Sequence, residues 1–211
     1  MMSFIQDRKF KIFIDFDGTV TKKDIGEHMF LKFGDADKAY EIIKRWMNNE
    51  ISSADTWVEL CATVKNIDMA KFDSFLSEAE IEEGFSEFVE FCKMNNCEIK
   101  ILSDGLDYYI DKILSDHGFN NIEYFSNKLV FDENNNLIPN FPYTDEECKI
   151  CANCKRNHIL NNSSDDDFTI YIGDGLSDTC PAQFVDFIFA KRSLLKFCEK
   201  NRISYFPYNN F

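Results

Sequence analysis

Short, mostly apolar runs that end in acid-rich turns set the tightest limits on what this chain can fold into. Lys11–Phe16, Glu98–Leu102, Thr169–Ile172 and Phe187–Ala190 lack the strict alternation of a half-exposed strand. Near-continuous apolarity is what a parallel strand covered on both faces requires. Between these runs lie stretches with helical spacing, such as Phe85, Phe88, Val89 and Cys92, or Tyr109, Ile110, Ile113 and Leu114. Strands alternating with helices predict an α/β fold, a Rossmann-like doubly wound parallel sheet.

One segment breaks the rhythm. From Lys22 to about Glu80 no strand pattern occurs, while Ser52-Ser53 before Ala54–Val64 and Asp68 before Met69–Leu76 read as helix starts. The expected organisation is therefore a core of residues 1–21 and 82–211, with a helical unit of residues 22–81 inserted after the first strand. A second irregular stretch, Tyr124–Asn140, reads as a β-hairpin turning at Asn134-Asn135-Asn136. Asp165-Asp166-Asp167 reads as a solvated loop.

Each of three turns carries groups suited to chemistry. After the first run comes Asp15-Phe16-Asp17-Gly18-Thr19, in which residues i and i+2 project to the same side beyond the strand's carboxyl end. Open α/β sheets bind ligands there. Two carboxylates this close repel unless a cation or a shared proton intervenes, which makes magnesium the natural third party. Gly18 allows a sharp turn, and Thr19 adds a hydroxyl. The second run ends in Ser103-Asp104-Gly105, a hydroxyl followed by turn amides that can hold a phosphoryl oxygen. The third ends in Gly173-Asp174-Gly175-Leu176-Ser177-Asp178, which supplies two further acids.

Composition narrows the partners. With 45% apolar residues and 22 phenylalanines, the chain can bury a large core. Its net charge of −14 disfavours nucleic acid and anionic membranes, though not a small anion held by local amides, lysine and metal. No apolar run approaches the roughly 20 residues of a membrane span, and Met1 to Lys11 does not read as a secretory signal. A soluble, cytoplasmic monomer or homodimer is expected, acting on a small molecule.

Eight cysteines fit that setting as free thiols, except where Cys148, Cys151 and Cys154 form a C-x2-C-x2-C cluster. Such spacing can supply three ligands to a structural zinc, with His158 or a distant cysteine as the fourth, or can remain a set of free or redox-labile thiols.

Taken together, Asp15-Phe16-Asp17-Gly18-Thr19, Ser103, a downstream lysine and Gly173-Asp174-Gly175-x-x-Asp178 resemble the four motifs of the haloacid dehalogenase superfamily. Lys155, which opens the helical stretch Lys155–Asn161, matches the third motif better than Lys149 does. Ile81-Glu82-Glu83-Gly84-Phe85-Ser86-Glu87-Phe88, the cysteines before Lys155 and Phe189-Ala190-Lys191-Arg192-Ser193-Leu194 look like the methionine-salvage branch. Phosphoserine and phosphoethanolamine/phosphocholine phosphatases are neighbours of that branch, the latter sharing Cys180-Pro181 after the fourth motif.

The resemblance implies a magnesium-dependent phosphomonoesterase working through an aspartyl-phosphate. Asp15 would be the nucleophile and Asp17 the acid/base. Asp15, the Asp17 carbonyl, Asp174 and Asp178 would hold the metal. Ser103, Asp104, Gly105, Thr19 and Lys155 would surround the phosphate. The insertion would be a cap hinged near Thr21 and Glu83. Asp24 reads equally as a helix N-cap and as a substrate-facing acid, with Glu27, His28 and Arg45 as further candidates. Phe30, Phe33, Tyr40 and Trp46 fit helix packing first, and His117 fits a helix C-terminus. The expected substrate is 2-hydroxy-3-keto-5-methylthiopentenyl-1-phosphate. Phosphoserine, phosphocholine or phosphoethanolamine, or phosphoryl transfer to an alcohol, remain as alternatives.

Overall fold

The computed structural model describes residues 8–211, so the reading of the extreme N-terminus falls largely outside the described residues. Among the described residues, seven strands form one sheet. They are β1 (Phe10–Ile14), β2 (Glu98–Leu106), β3 (Glu123–Phe131), β4 (Leu137–Asn140), β5 (Phe168–Gly173), β6 (Phe187–Ala190) and β7 (Phe206–Pro207). Their order is β4-β3-β2-β1-β5-β6-β7. All neighbours run parallel except β3 and β4. The chain fills one side of β1 and then crosses to β5 on the other, so the crevice at the carboxyl ends of β1, β2 and β5 lies at a topological switch point.

Four helices separate β1 from the rest of the core: α1 (Ile25–Phe33), α2 (Ala36–Met47), α3 (Ser53–Thr63) and α4 (Met69–Ser77). Each begins where a short polar side chain can satisfy an orphan amide. Asp24, Asp35, Ser52 and Asp68 accept from the backbone N–H of Glu27, Lys38, Asp55 and Lys71 respectively. The helices that flank the sheet are α5 (Phe85–Met94), α6 (Asp107–Asp116), α7 (Lys155–Asn162) and α8 (Arg192–Asn201).

The pleat divides each strand between two cores. Ile12, Ile14, Ile101 and Ile172 pack with Phe85 and Cys92 of α5 and Ile110 and Ile113 of α6. Phe13, Leu102, Tyr171 and Ile188 pack on the other face with Ile159 of α7 and Leu194 and Cys198 of α8. Burial on both faces explains why the runs are continuous rather than alternating, and each such side chain contributes about 1.5–3 kcal/mol.

Two strand boundaries differ from expectation. β1 ends at Ile14 rather than Phe16, because Phe16–Val20 coils into a single wide turn with Gly18 at φ 75°. Conversely, β2 continues to Leu106. Its register with β3 slips between Leu102 and Leu106, the stretch that holds Ser103-Asp104-Gly105. The hairpin forms as read, with Leu129 opposite Pro139 and Asp132 accepting from the Asn136 amide at 2.8 Å. What the sequence did not disclose is that β3 also joins the main sheet beside β2. Pro139 is accommodated because β4 is an edge.

The chain leaves the core for the inserted helices and returns to it along one seam. Thr21 and Ile81 form an antiparallel bridge. It is flanked by hydrogen bonds from Lys22 N to Glu80 O (3.0 Å) and from Glu82 N to Val20 O (2.8 Å). Among the described residues, no helix is long and apolar enough to cross a membrane.

Candidate active site

Asp15 stands directly after β1, where its amide donates to Ile172 O (2.9 Å), and its carboxylate is buried. Lys155, the first residue of α7, reaches the same point: its Nζ lies 2.5 Å from Asp15 Oδ1 and 2.7 Å from Asp178 Oδ1. Burial works against the lysine's charge, but the two carboxylates more than offset it and hold its pKa above the ordinary range. Lys149, the competing candidate, is exposed.

The turn after β5 is built around Asp178. Its Oδ2 accepts from the amides of Asp174 and Gly175, both at 2.9 Å, and its Oδ1 accepts from the Tyr171 hydroxyl at 2.6 Å. Asp174 accepts from Thr19 Oγ1 (3.2 Å) and from Arg192 Nη1 (2.9 Å). Among the described residues, Asp15, Asp174 and Asp178 are the one group of three or more potential metal-ligating side chains that converges, with ligand atoms within 4.8 Å of one another. Burial and then the charge of Asp178 push Asp15 well above its usual range. The same two causes raise Asp174 to about 6. Three enclosed carboxylates, paired with Lys155 and the half-exposed Arg192, make a donor set of hard oxygens suited to a divalent cation such as magnesium.

Asp17 is placed differently from those three. Its Oδ1 accepts from the amides of Ile25 (2.8 Å) and Gly26 (3.4 Å), at the start of α1, and its Oδ2 accepts from the Tyr109 hydroxyl at 2.7 Å. Enclosure, followed by the charge of Asp24, raises its pKa to about 7. A carboxyl poised there can both give and take a proton near neutrality.

Ser103 is buried, and its Oγ accepts from the Gly105 amide at 2.9 Å. The Asp104 carboxylate is already engaged. Ser53 of α3 donates to it, and so does the Asn153 amide, at 2.9 Å. An anion is a poor phosphate ligand, so this carboxylate ties segments together, while the residue itself still lines the cleft. Asn153 continues the tie by donating to Ser103 O (2.7 Å) and Phe125 O (3.0 Å) and pairing with His158.

Above these groups opens a cleft of about 340 Å³ whose far wall comes from the inserted helices, with Ile43, Trp46, Met47, Trp57 and Leu60 on one side and Asp24 and Glu27 at the edge. Asp24 caps α1, and it also lines the cleft. Phe30 packs on Trp57, and Phe33 on Phe72 and Phe75, as helix packing predicts. Trp46 lines the cleft, whereas Tyr40 is exposed. Arg45 pairs with Glu59 away from the acids, His28 is exposed with its ring on Asp24 O, and His117 bonds Ala79 O.

The zinc expectation is not supported. Cys148, Cys151 and Cys154 are free thiols that do not converge as a metal-ligating group among the described residues. The loop that carries them is held by its backbone: the Cys148 amide donates to Asp145, and the Cys154 amide to Tyr143 O. Burial pushes the Cys151 thiol up to about 12, so it stands as a protonated thiol. Tyr109, Arg192, Asn153, Ser53 and Trp57 went unrecognised as site residues. Each meets its partner across a long loop closure, and Tyr109 was legible only as a member of the apolar face of α6.

Residues 10–200 match the family model described as Putative Phosphatase. The chain belongs to this family. This phosphatase is 31% identical over 206 residues to a 2-hydroxy-3-keto-5-methylthiopentenyl-1-phosphate phosphatase of Bacillus cereus, covering 95% of this chain and 92% of that one. A protein of the same description from Bacillus mycoides is 32% identical over 209 residues, with the same coverage. Among solved structures, a phospho-aspartyl intermediate analogue of phosphoserine phosphatase superposes with a TM-score of 0.75 at 18% identity, over 96% of this chain and 95% of that one. A haloacid dehalogenase family hydrolase from Salmonella enterica serovar Typhi gives 0.77 at 15% identity, over 98% and 70%. At such identities the likeness bears on the fold, which is that of the haloacid dehalogenase superfamily.

Proposed function

We propose that this phosphatase hydrolyses a small phosphomonoester through a phosphoryl-aspartate on Asp15, with residues 22–81 acting as a cap over the site. The observation that carries this reading is the pairing of two unlike carboxyls on one turn. Asp15 is held against Lys155 at 2.5 Å, and Asp17 is turned away from the acidic triad onto neutral donors. In the first step an Asp15 oxygen attacks phosphorus, the ester P–O bond breaks, and Asp17 gives its proton to the departing alkoxide. In the second, water attacks the acyl phosphate while Asp17 takes a proton, releasing inorganic phosphate and restoring Asp15. Lys155, the Ser103 hydroxyl and the backbone amides of the Asp17 and Gly105 turns would stabilise the equatorial oxygens. Asp15, Asp174 and Asp178 would hold magnesium, which when bound offsets charge on the transferring phosphoryl group.

The cleft supports an alcohol with an apolar tail. Trp46, Trp57, Met47, Ile43 and Leu60 suit a thioether or alkyl end, and Asp24 and Glu27 can accept from hydroxyls nearer the phosphate. The methionine-salvage intermediate 2-hydroxy-3-keto-5-methylthiopentenyl-1-phosphate has both features, and the named Bacillus relatives favour it over phosphoserine. Phosphate release should be measured over a panel of that compound, phosphoserine, phosphocholine, phosphoethanolamine and sugar phosphates, with magnesium and with chelator. Magnesium-dependent release concentrated on the thioether substrate, and lost in Asp15→Asn, is expected. Preference for a charged amine substrate would overturn the substrate, and full activity of Asp15→Asn would overturn the mechanism.

A further inference from the structure

We infer that Tyr109 is the positioning residue for proton transfer by Asp17, an inference that rests on the acid/base role proposed above. Tyr109 lies in the first turn of α6 and is fully buried, its ring tilted against Phe16 at a centroid distance of 6.1 Å. Its hydroxyl is the one polar atom of an otherwise apolar side chain, and it donates to Asp17 Oδ2 at 2.7 Å. The opposite oxygen of that carboxyl is fixed by the amides of Ile25 and Gly26. Asp17 is therefore gripped from both ends, by α1 through Oδ1 and by α6 through Oδ2. Rotation about its side chain would break at least one of these bonds.

The space around the hydroxyl is shaped for it. A Cβ placed on Gly105 would fall 1.7 Å from Tyr109 Oη and 2.9 Å from Asp17 Oδ2, so any larger residue at position 105 would expel the hydroxyl from its partner. A Cβ on Gly26 would stand 3.6 Å from the same oxygen and only 2.9 Å from the Trp57 ring. The room for the phenol oxygen is therefore left by Gly105, while Gly26 leaves room for the Trp57 ring. Phenylalanine at position 109 would satisfy the packing with Phe16 equally well, so packing does not account for the hydroxyl.

A hydroxyl that aims the acid matters in proportion to how much the leaving group needs a proton. An alkoxide leaves poorly unless it is protonated, whereas p-nitrophenolate leaves unaided. The test compares Tyr109→Phe with the unaltered protein in single-turnover release of alcohol from an alkyl phosphate and of p-nitrophenol from p-nitrophenyl phosphate. The ratio of the two rates does not depend on how much of the variant is folded. Tyr109→Phe should slow the alkyl phosphate about tenfold or more, a part of the 10²–10⁴ that general acid catalysis supplies, and p-nitrophenyl phosphate less than about threefold. Asp17→Asn, run alongside, should show the same selectivity in stronger form. An equal loss on both substrates would reduce Tyr109 to a structural role, and no loss on either would remove it from the reaction. If Asp17→Asn itself shows no selectivity, the proposed acid/base is what fails, and Tyr109 with it.

Discussion

Lys155 is a buried cation among the acids, and it answers Asp15 and Asp178 at once. Replacing it with methionine would keep the length of the side chain but leave two enclosed carboxylates without their partner. Breaking a buried pair in this way costs about 3–5 kcal/mol. Lys155→Met should therefore unfold at markedly lower urea in the presence of chelator, and should lose phosphatase activity under all conditions. A variant as stable as the parent would show that the lysine's contacts are incidental. Asp15, Asp17, Asp174 and Asp178 were legible in the sequence because each sits in a short local pattern behind an apolar run, whereas Lys155 follows a cysteine-rich loop and was legible only through its likeness to the third motif. Tyr109 and Asn153 were not. A tyrosine at an apolar helix position and an asparagine among cysteines acquire meaning only from partners many residues away, Asp17 in one case and Ser103 in the other.

Among elements, the start of α3 touches the core's chemistry, as the start of α1 does through Asp17. Ser53 donates through its hydroxyl to Asp104 and through its amide to Ile150 O at 2.9 Å, so one residue of an inserted helix joins the turn after β2 and the loop before α7. Trp57, one turn along the same helix, lines the cleft. Removing the hydroxyl should loosen α3 over the substrate. A lost bond to a charged acceptor is worth about 1.5–3 kcal/mol. Ser53→Ala is expected to raise KM for the preferred substrate roughly tenfold with kcat changed less than about twofold, whereas Ser53→Thr should restore it. An unchanged KM in the alanine variant would show that α3 is held by its apolar contacts alone. Element boundaries were less legible than element types. β1 stops early and β2 runs on because Gly18 and the register slip at Ser103-Asp104-Gly105 let the backbone depart from regular geometry, and an apolarity pattern carries no record of either. The second role of β3 was hidden for a related reason, since a strand can pair on both edges while its sequence announces only the hairpin.

On the scale of the whole molecule, the acidic centre couples folding to pH and to metal. Asp174 ionises at about 6 when folded and near its ordinary value of 3.8 when unfolded, and Asp15 is displaced in the same direction. Between those values the folded state binds more protons than the unfolded one, so in chelator stability should fall as pH rises from about 4 through 6. On the proposed function, a divalent cation would take the place of those protons. At a hundredfold excess over its Kd it would stabilise by about 2.7 kcal/mol, a Tm rise on the order of 5–10 °C. Thermal unfolding with and without magnesium should show this rise at pH 7.5 and a smaller one at pH 5, with little left in Asp174→Asn. A rise independent of pH would place the ion elsewhere. The seam at Thr21 and Ile81 has a different consequence. Because the chain departs and returns at adjacent points, everything between them is a detour that leaves the order of the strands untouched. Most of that detour could be rewritten, and with it, on the proposed reading, the choice of substrate, provided that the α1 amides that hold Asp17 and the Ser53 hydroxyl on Asp104 are kept. A lineage built on this plan would change its diet more easily than its chemistry.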